Sequence, residues 1–146
     1  MKKKNNTFIS QIKQNSVALI SLFIALSSLS YNTWRNEKSE ENRNQRQAAF
    51  EIIIKLNELQ QVVFHHSYDK DTTEKGNLRT GWVLVQTIED LSQILNHPIP
   101  QTSKQLKQSW NDNSEKLSSN QNSIDTVLER IDGVRNNALL LLKNLK

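Results

Sequence analysis

This sequence predicts an all-α fold built around one membrane-crossing helix, and three observations carry the prediction. An uncharged apolar run near the N-terminus is long enough to span a bilayer. Downstream, apolar residues recur at three- and four-residue steps without the alternation a strand needs. Glycine and proline are scarce, with three and two copies in 146 residues, so β-architectures lack their usual turn residues. The expected arrangement is a transmembrane helix continuing into a long amphipathic helix, packed with one short and one long helix as an antiparallel bundle. A basic tail over 1–15, a transmembrane helix over 16–34 and a soluble helical region over 35–146 make up the chain.

The apolar run VALISLFIALSSLS, Val17 to Ser30, carries no charge. With Tyr31, Asn32, Thr33 and Trp34 it reaches 18 residues, close to what a hydrocarbon core of ~30 Å demands at 1.5 Å per residue. Val17, Leu19, Ile20, Leu22, Phe23, Ile24, Leu26 and Leu29 supply the lipid-facing bulk, and Tyr31 and Trp34 sit where an interfacial aromatic belt belongs. Ala18, Ser21, Ala25, Ser28 and Asn32 share one helical face, and small residues there would let another helix approach closely. A cleaved signal peptide shares the basic start, the apolar run and the small residues Ser28 and Ser30. The long basic segment, serines in place of alanines, the aromatic pair and the absence of any turn residue afterwards favour a retained anchor.

Orientation rests on a fine balance. Lys2, Lys3, Lys4 and Lys13 precede the span, and Arg35, Lys38, Arg43 and Arg46 follow it. Moving a free lysine-rich tail outward would oppose the membrane potential, at about 2.3 kcal/mol per charge per 100 mV. The expected topology therefore has a cytoplasmic N-terminus and an external helical region.

After Arg35, NEKSEENRNQRQ is rich in charge and in helix formers, a solvated continuation of the membrane helix in which Glu40 can pair with Arg43. Ala49, Ile52, Leu56, Leu59, Val63 and His66 then keep a 3–4 spacing, with Phe50, Ile53 and Phe64 expected to widen that stripe. One helix over about 16–67 follows. The polar segment from Ser67 to Arg79, with Gly76-Asn77, is expected as a loop. A short helix over about 80–96 places Leu84, Ile88, Leu91 and Leu95 on one face and ends at Pro98 and Pro100.

Thr102 and Gln105 have capping-box spacing for a last helix. Counting Leu106 as position d, Trp110, Leu117, Ile124, Ile131, Ala138 and Leu145 fall at a, and Asn113, Asn120, Val127, Val134 and Leu141 at d. The preserved phase favours one helix over about 103–145, with Asn113 and Asn120 in its seam. The alternative is a break near Asn120 and Asn122, which gives an antiparallel four-helix bundle.

YNTWRNEKSEENRNQRQAAFEIIIKLNELQQVVFHHSYDKD followed by GNLRTGW resembles uncharacterised small single-span membrane proteins of gammaproteobacteria. The shared pattern falls on Asn32 to Glu37, Glu41 to Asn44, Ala49 to Glu51, Leu59-Gln60, His65, Tyr68-Asp69 and Gly76 to Trp82. The resemblance covers about residues 16–95. It implies a bacterial inner-membrane location and no particular activity.

Function classes narrow accordingly. A net charge of +4 is scattered, with no basic stripe and reader element, so nucleic acid is not an expected partner. Without cysteine there is neither a disulfide nor a thiolate site. No G-x-S-x-G elbow or acid–base pair occurs, so no enzymatic activity and no cofactor are expected. His65, His66, Asp69 and Asp71 are metal-ligand types but lack the three or four converging ligands a zinc site needs. Asn77, Arg79, Thr80 and Trp82 form a glycine-flanked helix start where backbone amides could hold an anion, though a turn and cap with Trp82 packed on the first helix is the simpler reading. The lipid bilayer and a protein partner, or a second copy, are the expected partners of a membrane-anchored interaction module. A sensory, ligand-binding module acting through another protein is the alternative. A phage-type lysis subunit shares the anchor-plus-coil plan but not the middle helix.

Overall fold

The computed structural model describes residues 5–145. Among them are four α-helices: α1 (Asn5–Ser67), α2 (Leu78–Ser92), α3 (Ile99–Asn113) and α4 (Gln121–Asn144). A single 3-10 turn covers Ser114–Lys116, and no strand occurs among the described residues. The all-α bundle and the long apolar N-terminal helix match the expectation from sequence. The lysine cluster at 2–4 lies outside the described residues. Contacts divide the chain into two compact units, Met1–Glu41 and Asn42–Lys146.

In the first unit, α1 is long and apolar enough to cross a membrane. Two of its hydroxyls bond to the backbone: Thr33 Oγ1 donates to Leu29 O at 3.0 Å, and Ser16 Oγ to Lys13 O at 2.7 Å. Such bonds satisfy side-chain donors without water. Beyond the apolar run, Lys38 and Glu41 pair at 3.0 Å along the helix.

The second unit is a four-helix bundle made by the rest of α1 with α2, α3 and α4. Cross-links in the side-chain network set the directions. Arg46 Nη2 donates to Leu145 O at 3.1 Å, Arg135 Nη2 to Gln60 Oε1 at 2.7 Å, and Lys70 Nζ to Ser118 O at 2.6 Å. Residue numbers rise on α1 as they fall on α4, so the two run antiparallel. Asn96 Nδ2 donates to Gln45 Oε1 at 3.3 Å while His66 meets Gly76, which makes α2 antiparallel to α1 as well. Short connections make each further neighbour antiparallel in turn.

One core unites these helices. Ala49, Ile52, Leu56, Leu59 and Val63 of α1 are fully buried, as the 3–4 spacing predicts, and His66 is buried beside them. Against them pack Leu84, Val85 and Ile88 of α2, Leu106 and Trp110 of α3, and Val127, Ile131 and Val134 of α4. Each such branched or aromatic side chain contributes roughly 1.5–3 kcal/mol of burial, so this face defines the unit.

Four expectations are corrected. The helix expected over 103–145 is two helices, and the bundle is the four-helix alternative. Seven residues, 114–120, separate α3 from α4. That is one heptad, so the count of a positions survives the turn, and Leu117 within it is still buried. Asn113 and Asn120 are therefore not seam residues: Asn113 Nδ2 donates to Ser109 O at 2.9 Å, and Asn120 caps α4 by accepting from Ser123 N at 3.3 Å. Thr102 does not open a helix, because α3 begins at Ile99 with Pro100 in its first turn, and the Thr102 hydroxyl donates to Pro98 O and Ile99 O. Finally, Phe50 and Phe64 do not widen the core stripe; both are exposed. Ile53 is half-buried.

Candidate functional site

The apolar segment is exposed along its length. Val17, Leu19, Ile20, Leu22, Phe23, Ile24, Leu26, Leu29, Tyr31 and Trp34 are all exposed, from 56% for Leu22 and Leu26 to 72% for Val17 and Phe23. Soluble monomers rarely leave so continuous an apolar surface in water. Tyr31 and Trp34 adjoin, with ring centroids 6.1 Å apart and planes tilted by 41°. Ala18, Ser21, Ala25 and Ser28 are exposed along the same helix.

The loop after α1 is built around Asp71. Its carboxylate accepts from the backbone amides of Thr73 (2.9 Å), Glu74 (3.1 Å) and Lys75 (2.9 Å). Those bonds, led by that from Glu74, hold the Asp71 carboxyl well below the usual carboxylate range. Lys70, in the left-handed region at φ 58°, turns the chain into this loop. His66 Nδ1–H donates to Gly76 O at 2.9 Å from a buried position, tying the loop back to α1. His65 and Asp69 meet at 2.6 Å on the exposed side. Each metal-ligand type thus has its own protein partner or role. Among the described residues no three His, Asp or Glu side chains converge as a metal site requires.

Asn77 is the N-cap of α2: its Oδ1 accepts from Arg79 N at 2.9 Å and its Nδ2 donates to Thr73 O at 3.3 Å. Gly81 N donates to Asn77 O at 3.3 Å. The helix start expected to present free amides is therefore partly closed by its own cap, with Arg79 and Thr80 exposed on the first turn. Both glycines of this segment are there for close approach. A Cβ at Gly76 would lie 1.9 Å from Asp71 O and 2.6 Å from His66 N, and one at Gly81 would lie 2.0 Å from Cζ2 of Trp110.

Trp82, expected against the first helix, instead lines an open groove of about 390 Å³ between α2 and α3, with Glu89, Lys104, Lys107, Gln108 and Asn111. Lys107 pairs with Glu89 across it. The spacing of residues within either helix does not show this groove, because it forms only where α2 and α3 pack side by side. Lys55 is held by Glu58 at 3.0 Å and Glu51 at 3.7 Å on the outer side of α1, and the Glu58 bond raises its pKa. Compared with known proteins, the chain matches no family model, no curated protein and no solved structure.

Proposed function

We propose that the chain is a single-pass, membrane-anchored interaction module: a helical bundle held at a bacterial inner membrane by residues 16–34 and docking onto another polypeptide chain. The observation that carries this reading is the apolar surface left on the outside of a bundle whose core is already full. Phe50, Ile54, Val83, Ile94, Leu139 and Leu140 are exposed in the second unit while its interior side chains are wholly buried. Apolar groups held at the surface by a completed core have a partner chain as their natural cover. Exposure of the apolar run in the first unit supports the lipid bilayer as the other partner.

Chemical crosslinking of the full chain in its native membrane, followed by mass spectrometry, tests the reading. Specific links from the second unit to another chain are expected. Links confined to residues of one chain would contradict it. The groove beside Trp82 favours a second reading, a ligand-sensing module. Thermal-shift curves of the full chain that do not move with any small anion or metal would remove that reading.

A further inference from the structure

Where α1 ends, a cleft of about 310 Å³ lies between Ser67 and Lys70 on one side and the turn joining α3 to α4 on the other. Its floor is Leu117, fully buried, with Ile124 and Ser67 at 5% and 4% exposed. Ser67 Oγ has no hydrogen-bond partner among the described residues. A helical hydroxyl can turn back onto the carbonyl four residues earlier, as Thr33 does. Ser67 does not, and a buried polar atom ordinarily has a partner.

The rim supplies donors and no acid. Lys70 is the one charged residue lining the cleft among the described residues. Its Nζ donates to Ser118 O at 2.6 Å, which fixes the ammonium on the α3–α4 turn, three residues before α4 begins. An ammonium carries three donors, so this bond leaves others for a ligand. Gln121, also on the cleft, opens α4, a helix of 24 residues. The first amides of a helix have no partner within it. Here Asn120 N donates to Lys116 O and Ser123 N to Asn120, whereas the amides of Gln121 and Asn122 have no partner among the described residues.

We propose that this cleft binds a dissolved phosphate, inorganic or the terminal group of a small monoester. The positive end of the α4 dipole, the Lys70 ammonium and the unpaired Ser67 hydroxyl all favour an anion there. Their number favours phosphate over carboxylate. A carboxylate has two oxygens in one plane, whereas a phosphate monoester presents three, spread in three dimensions. A lipid phosphodiester gives up one of those three to its second ester link, which makes a dissolved ligand the better match. The inference stands apart from the interaction reading above, because it assigns a ligand to the bundle whatever chain the bundle docks onto.

Full-length protein in an uncharged detergent, titrated with inorganic phosphate against sodium chloride of equal ionic strength, tests this by calorimetry and by the unfolding midpoint. Saturable binding is expected, with a rise in the midpoint that chloride does not reproduce. Lys70→Gln should weaken binding about tenfold, the loss of a charge-assisted contact. Ser67→Ala removes the hydroxyl alone. Gln121→Pro removes an amide at the first helical position, where proline is accepted, after an Asn120 already extended at ψ 107°. Each of these two should weaken phosphate several-fold without lowering the midpoint measured in its absence, a split that a merely structural role does not give. Lys104→Gln, in the groove beside Trp82, should leave the affinity unchanged. A flat titration would overturn the inference. So would equal weakening by Lys104→Gln and Lys70→Gln, or an affinity indifferent to both Ser67→Ala and Gln121→Pro. Phosphatidylglycerol added to the micelles should not compete; competition would overturn the dissolved ligand.

Discussion

A methyl group has three different consequences at the three glycines. At Gly76 it would strike the Asp71 carbonyl and the His66 backbone, neither of which can move without opening the loop. At Gly81 it would enter the Trp110 ring, fully buried in the core. Gly76→Ala and Gly81→Ala should each lower stability by about 1–3 kcal/mol or more, as overpacking does. Gly133, inside α4, has nothing within 4 Å of the added carbon, so Gly133→Ala should raise stability by about 1 kcal/mol through helix propensity. Urea unfolding midpoints of the three variants check both signs. Asp71 supplies a pH dependence of definite direction. Its folded pKa is depressed, so its contribution is complete above the unfolded value of about 3.9 and is lost as pH falls below it. Asp71→Asn should therefore lower the urea midpoint at pH 7 and flatten its fall as pH drops below about 4, the two proteins converging in acid. Sequence placed Asp71 and Gly76 in a loop, with Asp71 among metal-ligand residue types too few for a site. Their real task, closing the turn after α1, depends on backbone atoms that no residue pattern displays.

At the scale of elements, periodicity was informative for faces and silent about breaks. The spacing of Ala49, Ile52, Leu56, Leu59 and Val63 located the buried face of α1 correctly. It failed for Phe50 and Phe64, because apolarity alone does not say which side of a helix meets the bundle. The longer failure lies between α3 and α4. A turn of one heptad leaves the a-position count intact, so Trp110, Leu117 and Ile124 are buried whether the chain runs straight or folds back. What distinguishes the two is local: asparagine and serine compete with helical hydrogen bonds, and the Asn120 side chain caps the next helix. Asn120→Ala should cost about 1 kcal/mol and Asn120→Asp much less, measured by thermal or urea unfolding. Equal stability of both variants would contradict the cap.

For the whole molecule, fold class and the membrane-length helix were legible because both follow from composition and period over dozens of residues. The α2–α3 groove was not, since it exists only once the two helices have folded side by side. The account as a whole depends on residues 16–34 remaining attached and embedded in lipid. Alkaline carbonate extraction of membranes, combined with intact mass measurement of the protein recovered, tests this directly. The account predicts a chain that keeps residues 16–34 and leaves the membrane only with detergent. A chain beginning near Tyr31 and released without detergent would contradict it.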